Sequence, residues 1–524
     1  MGRRPSIRGS RLGAAAVVAV ALCAGAGPPA GAAHQTVLCV GADPECFTTI
    51  QGAVDAARDG DAIQVAAGTY AGGVTIDKSL ELVGAGAAET VISGGGPVIT
   101  IGTFGGDNRF TVAIDGVTIT GGLNDSQPST SVVAGGGVSI PQSAGNTTGA
   151  TVTISHSLIA GNRVTASSTI PQGGFSCHFG PHACAFVGGG GIDNSGVLTL
   201  DHTDVTDNTA GSTPTNPALE SNAGGGGIAN HPQGTLVLRH CSVTGNRAAV
   251  SPPNGSFTDG GGIADNGAMT IEDCSVDRNS SVVEAAVPNT FPFGDGEEAN
   301  AGGIQITHGA TVTISHSTVD DNTVSGFNSV GDEVTSTGGI HNHGTLVLDH
   351  SNVSGNTAVA SVPPGSGLVA GATGGGFQLG ADLSTTTLGH SRVADNSLRA
   401  DSQGGTAFVA GAGLANINGV LTLDHTDVTA NSGAANGSGS VPLPIGQLVA
   451  LGGGIENIGF GGAPALSLSH SSVTGNTLTT TASVAPLGGG IFTRDVFSPT
   501  GDPFSVTLDH SAITGNAPED CDGC

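Results

Sequence analysis

The sequence predicts an all-β fold: a right-handed, single-stranded parallel β-helix, a solenoid of three sheets with a short N-terminal capping helix. Three observations predict it. A ten-residue phrase, first clean from Thr153 to Asn162, returns with its terminal Asn at Asn208, Asn246, Asn279, Asn322, Asn356, Asn396, Asn431, Asn476 and Asn516, at intervals of 33 to 46 residues. A period in that range belongs to coils that bury their apolar faces only against neighbouring coils. Each unit also holds a glycine run with one apolar residue, such as Gly189-Gly190-Gly191-Ile192, and then an alternating stretch, such as Val197-Leu198-Thr199-Leu200. Alternation of period two is a strand with one face in and one face out. The regular Ile, Val and Leu positions speak against disorder in a chain with 90 Gly.

The elements follow in order. Residues 1–33 read as a secretory leader: Arg3, Arg4, Arg8 and Arg11, then an apolar run from Leu12 to Leu22 too short to span a bilayer, then Ala30-Gly31-Ala32. The expectation is a secreted chain, extracellular or cell-surface associated, with no transmembrane segment. Residues 34–122 read as the cap and first coils. Phe47 to Arg58 is a short amphipathic helix over the open first coil, since an exposed coil end is an edge strand that invites pairing. Asp61–Val65, Val74–Ile76 and Leu80–Val83 are the opening strands, and a degenerate repeat follows, with Gly116 in the His position and Gly122 in the Asn position.

Residues 123–516 are the repetitive coils. After the alternating strand comes a corner carrying His, then a short strand ending at Asn, so three strands and their corners make one triangular turn. Identical positions stack at about 4.8 Å per coil. This predicts an aliphatic column through Ile159, Val205, Val243, Val276, Val319 and Val353, and an amide ladder through the terminal Asn residues. Variable stretches after the Asn, such as Gly211 to Ser221, Val282 to Glu298 and Gly433 to Gln447, read as loops along one edge, the place for partner contacts. Residues 517–524 form a tail containing Cys521 and Cys524.

Charge narrows the partners. Without the four leader arginines, ten basic residues face forty-two acidic ones, a net −32, with Lys78 the single lysine. Such a surface excludes nucleic acid and anionic membranes, which need clustered Lys or Arg, and polyanionic glycans unless calcium bridges the charges. The eight cysteines after the leader fall into neighbours: Cys39 with Cys46, Cys177 with Cys184, Cys241 with Cys274 in one inward slot of adjacent coils, and Cys521 with Cys524. An even count in an exported chain predicts four disulfides.

Two patterns carry chemistry. Asp277 and Asp320 fall in the same outward slot of consecutive coils, with Arg278 and Asp321 in the adjoining slot. Two carboxylates one strand apart suit calcium, or leave one as an acid with a raised pKa; a surface charge cluster is the simpler reading. No catalytic residue and no cofactor is otherwise indicated. The corner slot contains His156, His202, His240, His316, His350, His390, His425, His470 and His510, broken only by Asp273. These imidazoles can stack as neutral rings or hold a row of transition-metal ions, and stacking is the simpler account. Neutral stacking predicts that acid loosens the solenoid by placing like charges about 5 Å apart, an effect that Asp201, Asp349, Asp424 and Asp509 oppose.

One resemblance is specific. Thr49-Ile50-Gln51-Gly52-Ala53-Val54-Asp55-Ala56-Ala57, then Gly60-Asp61, Ala67-Gly68-Thr69-Tyr70 and Lys78-Ser79-Leu80, resembles the opening of pectin-lyase-like right-handed parallel β-helix proteins. The later glycine-run and Ser-x-Val-x-Gly-Asn units are similar to polymorphic outer-membrane-protein-type repeats. The resemblance implies the fold and leaves activity open, because the class includes lyases, hydrolases, esterases and adhesins. The catalytic segments of pectin methylesterases and polygalacturonases have no counterpart, and the chain has no Trp and one Tyr to serve as sugar platforms. The expectation is a noncatalytic secreted protein that binds an extracellular glycan or a surface protein through edge loops. The alternative is a polysaccharide lyase or glycoside hydrolase with an acidic site.

Overall fold

The computed structural model describes residues 36–125, 132–166, 183–212, 219–251, 256–286, 298–380, 384–443, 446–459, 462–495 and 502–524. The leader expectation, Cys177 and the tips of most variable stretches lie outside them.

Alternating residues build the coil. In Thr311–Ser315, Val312 and Ile314 point in and are fully buried, while Thr311 and Thr313 are exposed. That strand pairs in parallel register with Ala268–Glu272 before it and Thr345–Asp349 after it. Among the described residues, such strands form a 14-stranded parallel sheet, here sheet I. Three-residue strands after the His corner, such as Asp204–Thr206, form a 13-stranded sheet II. Those after the glycine run, such as Ile228–Asn230, form a 13-stranded sheet III. The fold is therefore all-β, a right-handed parallel β-helix. One apolar core runs through its centre and contains the expected aliphatic column, each member at most 1% exposed.

The described residues hold one helix, α1 (Ile50–Ala56). The Thr49 hydroxyl accepts the Gly52 N–H and starts it. Ile50, Ala53 and Val54 are buried against the first coil. Lys78 closes its C-terminal end, donating from Nζ to the carbonyls of Val54 and Ala57 at 3.1 and 3.2 Å, where a cation meets the negative end of the helix.

The expected three sheets are present, and a fourth was not expected. From Leu123 onward the chain leaves the coil after the Asn on an outgoing strand and returns on another before the glycine run, as in Thr209–Ser212 and Leu219–Gly224. Outgoing strands pair with outgoing strands and returning with returning. The strand Ser397–Ala410 serves both ladders and joins them into an 18-stranded fin. The stems of the variable stretches are thus strands rather than loops. They bury an alanine-rich core separate from the central one, with Ala248, Ala358 and Ala360 from outgoing strands and Ala223, Ala299 and Ala372 from returning ones. Small residues let the two ladders approach closely, which is why composition alone reads these segments as loops.

Cys39–Cys46 and Cys521–Cys524 are bonded. The expected Cys241–Cys274 bridge is not formed, and both are buried thiols. They stand in the slot where Ser317 and Ser351 donate to the carbonyl two residues back and accept the backbone N–H of the preceding coil. Cys241 and Cys274 Sγ donate in the same way to Arg239 and Glu272 at 3.0 Å, and Cys274 Sγ accepts the Cys241 N–H at 3.2 Å. Each sulfur points along its own turn, so the two continue a hydroxyl ladder instead of meeting.

Candidate functional site

Two of the left-handed turns of each coil flank the short strand of sheet II. The His slot is one, with φ between 44° and 51° for all nine histidines and 52° for Asp273. The residue before the ladder Asn is the other. A non-glycine residue tolerates this region best as Asn, Asp or His. Every corner His is thereby thrown outward along the edge between sheets I and II, one per coil.

The rings stack as expected. Centroids of consecutive rings lie 4.5–5.4 Å apart and their planes within 23° of parallel. Asp273 interrupts the column between His240 and His316. Strand alternation turns the residue before each corner outward too, and in several coils it is Asp. His202 Nδ1 lies 3.0 Å and His240 Nδ1 3.3 Å from Asp201 Oδ1. His350 and His390 Nδ1 lie 3.0 and 3.5 Å from the two oxygens of Asp349. His425 Nδ1 lies 3.0 Å from Asp424. Burial works against ionisation of Asp201 and Asp349, but the bonds from these histidines prevail and hold both carboxyls below their ordinary range. The ridge borders an open groove lined by His350, His390, Asn352, Arg392 and Asp427. Sequence reading named the histidines and the adjoining acids but missed that one acid serves two coils. The Asp-His dipeptide followed by a His in the next repeat is the signal.

Asp277 and Asp320 end consecutive strands of sheet II. Asp320 Oδ1 accepts from the Ser354 N–H at 2.9 Å, the Ser354 hydroxyl at 2.8 Å and Asn352 Nδ2 at 3.0 Å. Asp277 accepts from the Thr318 hydroxyl and the Asp320 N–H, both at 3.3 Å. Burial pushes the Asp320 carboxyl up, the Ser354 bonds oppose, and the charge of Asp277 adds to the rise. Arg278 and Asp321 occupy the left-handed turn beside them, at φ 53° and 55°. The structure thus places all four residues in one stretch of surface, with Asp320 held by its own neighbours.

Buried titratable groups escaped sequence reading, among them Glu456, His341 and Asp265. Glu456 sits in sheet III between Ala415 and Phe492, and burial pushes its carboxyl up to about 8. His341 is fully buried with neither ring nitrogen hydrogen-bonded, and burial holds it well below the ordinary imidazole value. Asp265 ends a second amide ladder, from Asn194 through Asn230, and burial raises it to about 6.

Stacked parallel sheets with one-per-coil ladders define a right-handed parallel β-helix repeat protein. No family model and no curated protein matches the chain. Among solved structures, pectin methylesterase from carrot is similar, at 11% identity and a TM-score of 0.25, over 69% of this chain and 84% of that one. Among the described residues, no helix is long and apolar enough to cross a membrane.

Proposed function

We propose that this is a noncatalytic binding solenoid that acts outside the cell, holding an extracellular glycan or a surface protein along its repetitive edges. The observation that supports the reading is repetition itself. The outward positions of sheet I recur one per coil, uncovered and rich in hydroxyls, as in Thr151 and Thr153 or Thr311 and Thr313. The His ridge runs alongside at the same repeat. An array of equal groups suits an extended ligand, whereas catalysis asks for a singular constellation. The strongest singular constellation here, around Asp320, spends its oxygen on Ser354 and Asn352.

The second reading, a polysaccharide lyase or hydrolase, has one observation in its favour: the raised Asp320 carboxyl beside Asp277. One experiment separates the two. The full chain is incubated with cellulose, chitin and pectate, with and without calcium, and both retention and released oligosaccharides are measured. Retention on a polymer without product is expected. Product release that disappears in Asp277→Ala or Asp320→Ala would overturn the noncatalytic reading.

A further inference from the structure

We propose that the His ridge is a transition-metal site made of three Asp–His–His clusters: Asp201, His202 and His240; Asp349, His350 and His390; and Asp424, His425 and His470. In each, one ligating atom per residue lies within 4.8 Å of the others. The clusters arise wherever a coil carries Asp before its corner His and the next coil carries His. Asp115 has Gly116 in its own corner and reaches only His156, at 2.9 Å. Where Ser155, Ser315, Gly389 or Ser469 precedes the corner, no carboxylate stands there to complete a cluster.

The donor set and spacing are those of a borderline metal. Imidazole nitrogen with carboxylate oxygen selects Zn²⁺, Ni²⁺ or Cu²⁺ over the hard cations, which prefer all-oxygen sites. Bonds of about 2.0–2.1 Å in a tetrahedron place neighbouring ligand atoms about 3.3 Å apart. The carboxylate-to-Nδ1 separations in the first two clusters, 3.0 to 3.5 Å, already bracket that edge. A metal there replaces the hydrogen bond between each Nδ1 and the carboxylate and binds the neutral imidazole in the tautomer that carries its one proton on Nε2, so the proton leaves Nδ1 and is taken up at Nε2 through solvent. The acids and histidines of these pairs are 40–53% exposed, so an ion enters from solvent and the side chains are free to converge on it. The strongly acidic chain draws cations toward the ridge. Three protein ligands leave each metal an open position, which faces outward.

The test uses the full chain without an affinity tag, stripped with EDTA and titrated with zinc sulfate or nickel chloride, with bound metal counted by elemental analysis. Saturable uptake of three ions per chain is expected. His240→Asn, His390→Asn and His470→Asn each remove one, and the triple variant removes all three. His308→Asn, away from the ridge, keeps three. Equal uptake by the triple variant, equal uptake of calcium, or no uptake by the parent overturns the proposal. Should the triple variant fail to fold, zinc protection of the ridge histidines of the parent against diethyl pyrocarbonate decides: protection confined to the six cluster histidines supports the site, and none refutes it.

Discussion

At single residues, the solenoid is governed by what each repeated position can tolerate. Gly189 adopts φ 66°, and a Cβ on Gly191 would lie 2.9 Å from Asn208 Nδ2. The glycine run thus makes the turn and leaves room for the amide ladder. Ala301 and Thr337 occupy the Gly189 position in their coils with φ of 42° and 46°, a backbone that β-branched residues rarely adopt. Asp265 is a sharper exception, a carboxylate in the Asn position of the second ladder, with Oδ2 unpartnered. Its carboxyl is raised from 3.8 to about 6 by burial. Between those values the folded chain holds a proton that the unfolded chain has lost, so stability falls as pH rises through that window and stays low above it. Asp265→Asn removes this loss and supplies a donor like that of Asn194, which reaches the Thr235 carbonyl of the next coil at 3.2 Å. Denaturant melts at pH 4 and pH 7 should show the variant gaining on the order of 2 kcal/mol over the parent at the higher pH only. An equal gain at both would refute the buried-charge account.

At the level of elements, the ladders do what strand pairing alone cannot. Each ladder Asn lies between coils: Asn279 Nδ2 donates to the Val243 carbonyl at 2.8 Å and to Asn322 Oδ1 at 3.0 Å, while its own Oδ1 accepts Asn246 N–H and Nδ2 at 3.0 Å. The same pattern runs from Asn162 to Asn516. Asn279→Ala orphans several fully buried groups at once, for a cost of about 3–5 kcal/mol. Asn516→Ala, at a half-buried end where Asp520 takes the next place, should cost less than half as much. Urea melts of the two variants check this, and equal losses would mean that the ladder does not act coil by coil.

For the whole molecule, the problem is where stacking stops. The N-terminal end is closed by α1, whose Ile50 and Val54 complete the central core. Val54→Asp places an unpaired carboxylate among apolar side chains and should lift the cap, exposing a coil edge. Sedimentation should then report larger, concentration-dependent species and a lower melting temperature than for the parent. Unchanged size and melting would show that the coil needs no cover. The fin adds a second thin core to the solenoid without interrupting its ladders, because each excursion leaves after the Asn and returns before the glycine run.

The sequence by itself determined the coil, since every requirement of stacking recurs at a legible interval: inward aliphatics by alternation, the ladder Asn, the corner His and the glycine run. It also carried the cap, because α1 begins at a capping threonine and alternates at helical spacing. The fin was not legible, since Ala, Ser, Gly and Thr become strands only when the neighbouring excursion lies beside them at strand distance. Nor was the state of Cys241 and Cys274, which share a slot as read but direct their sulfurs along their own turns. The three metal-suited clusters fall between these cases. Each is written as Asp-His in one repeat and His in the next, but only the stacked register, which sets one coil's carboxylate between two coils' imidazoles, turns residues 38 to 46 positions apart into a single site.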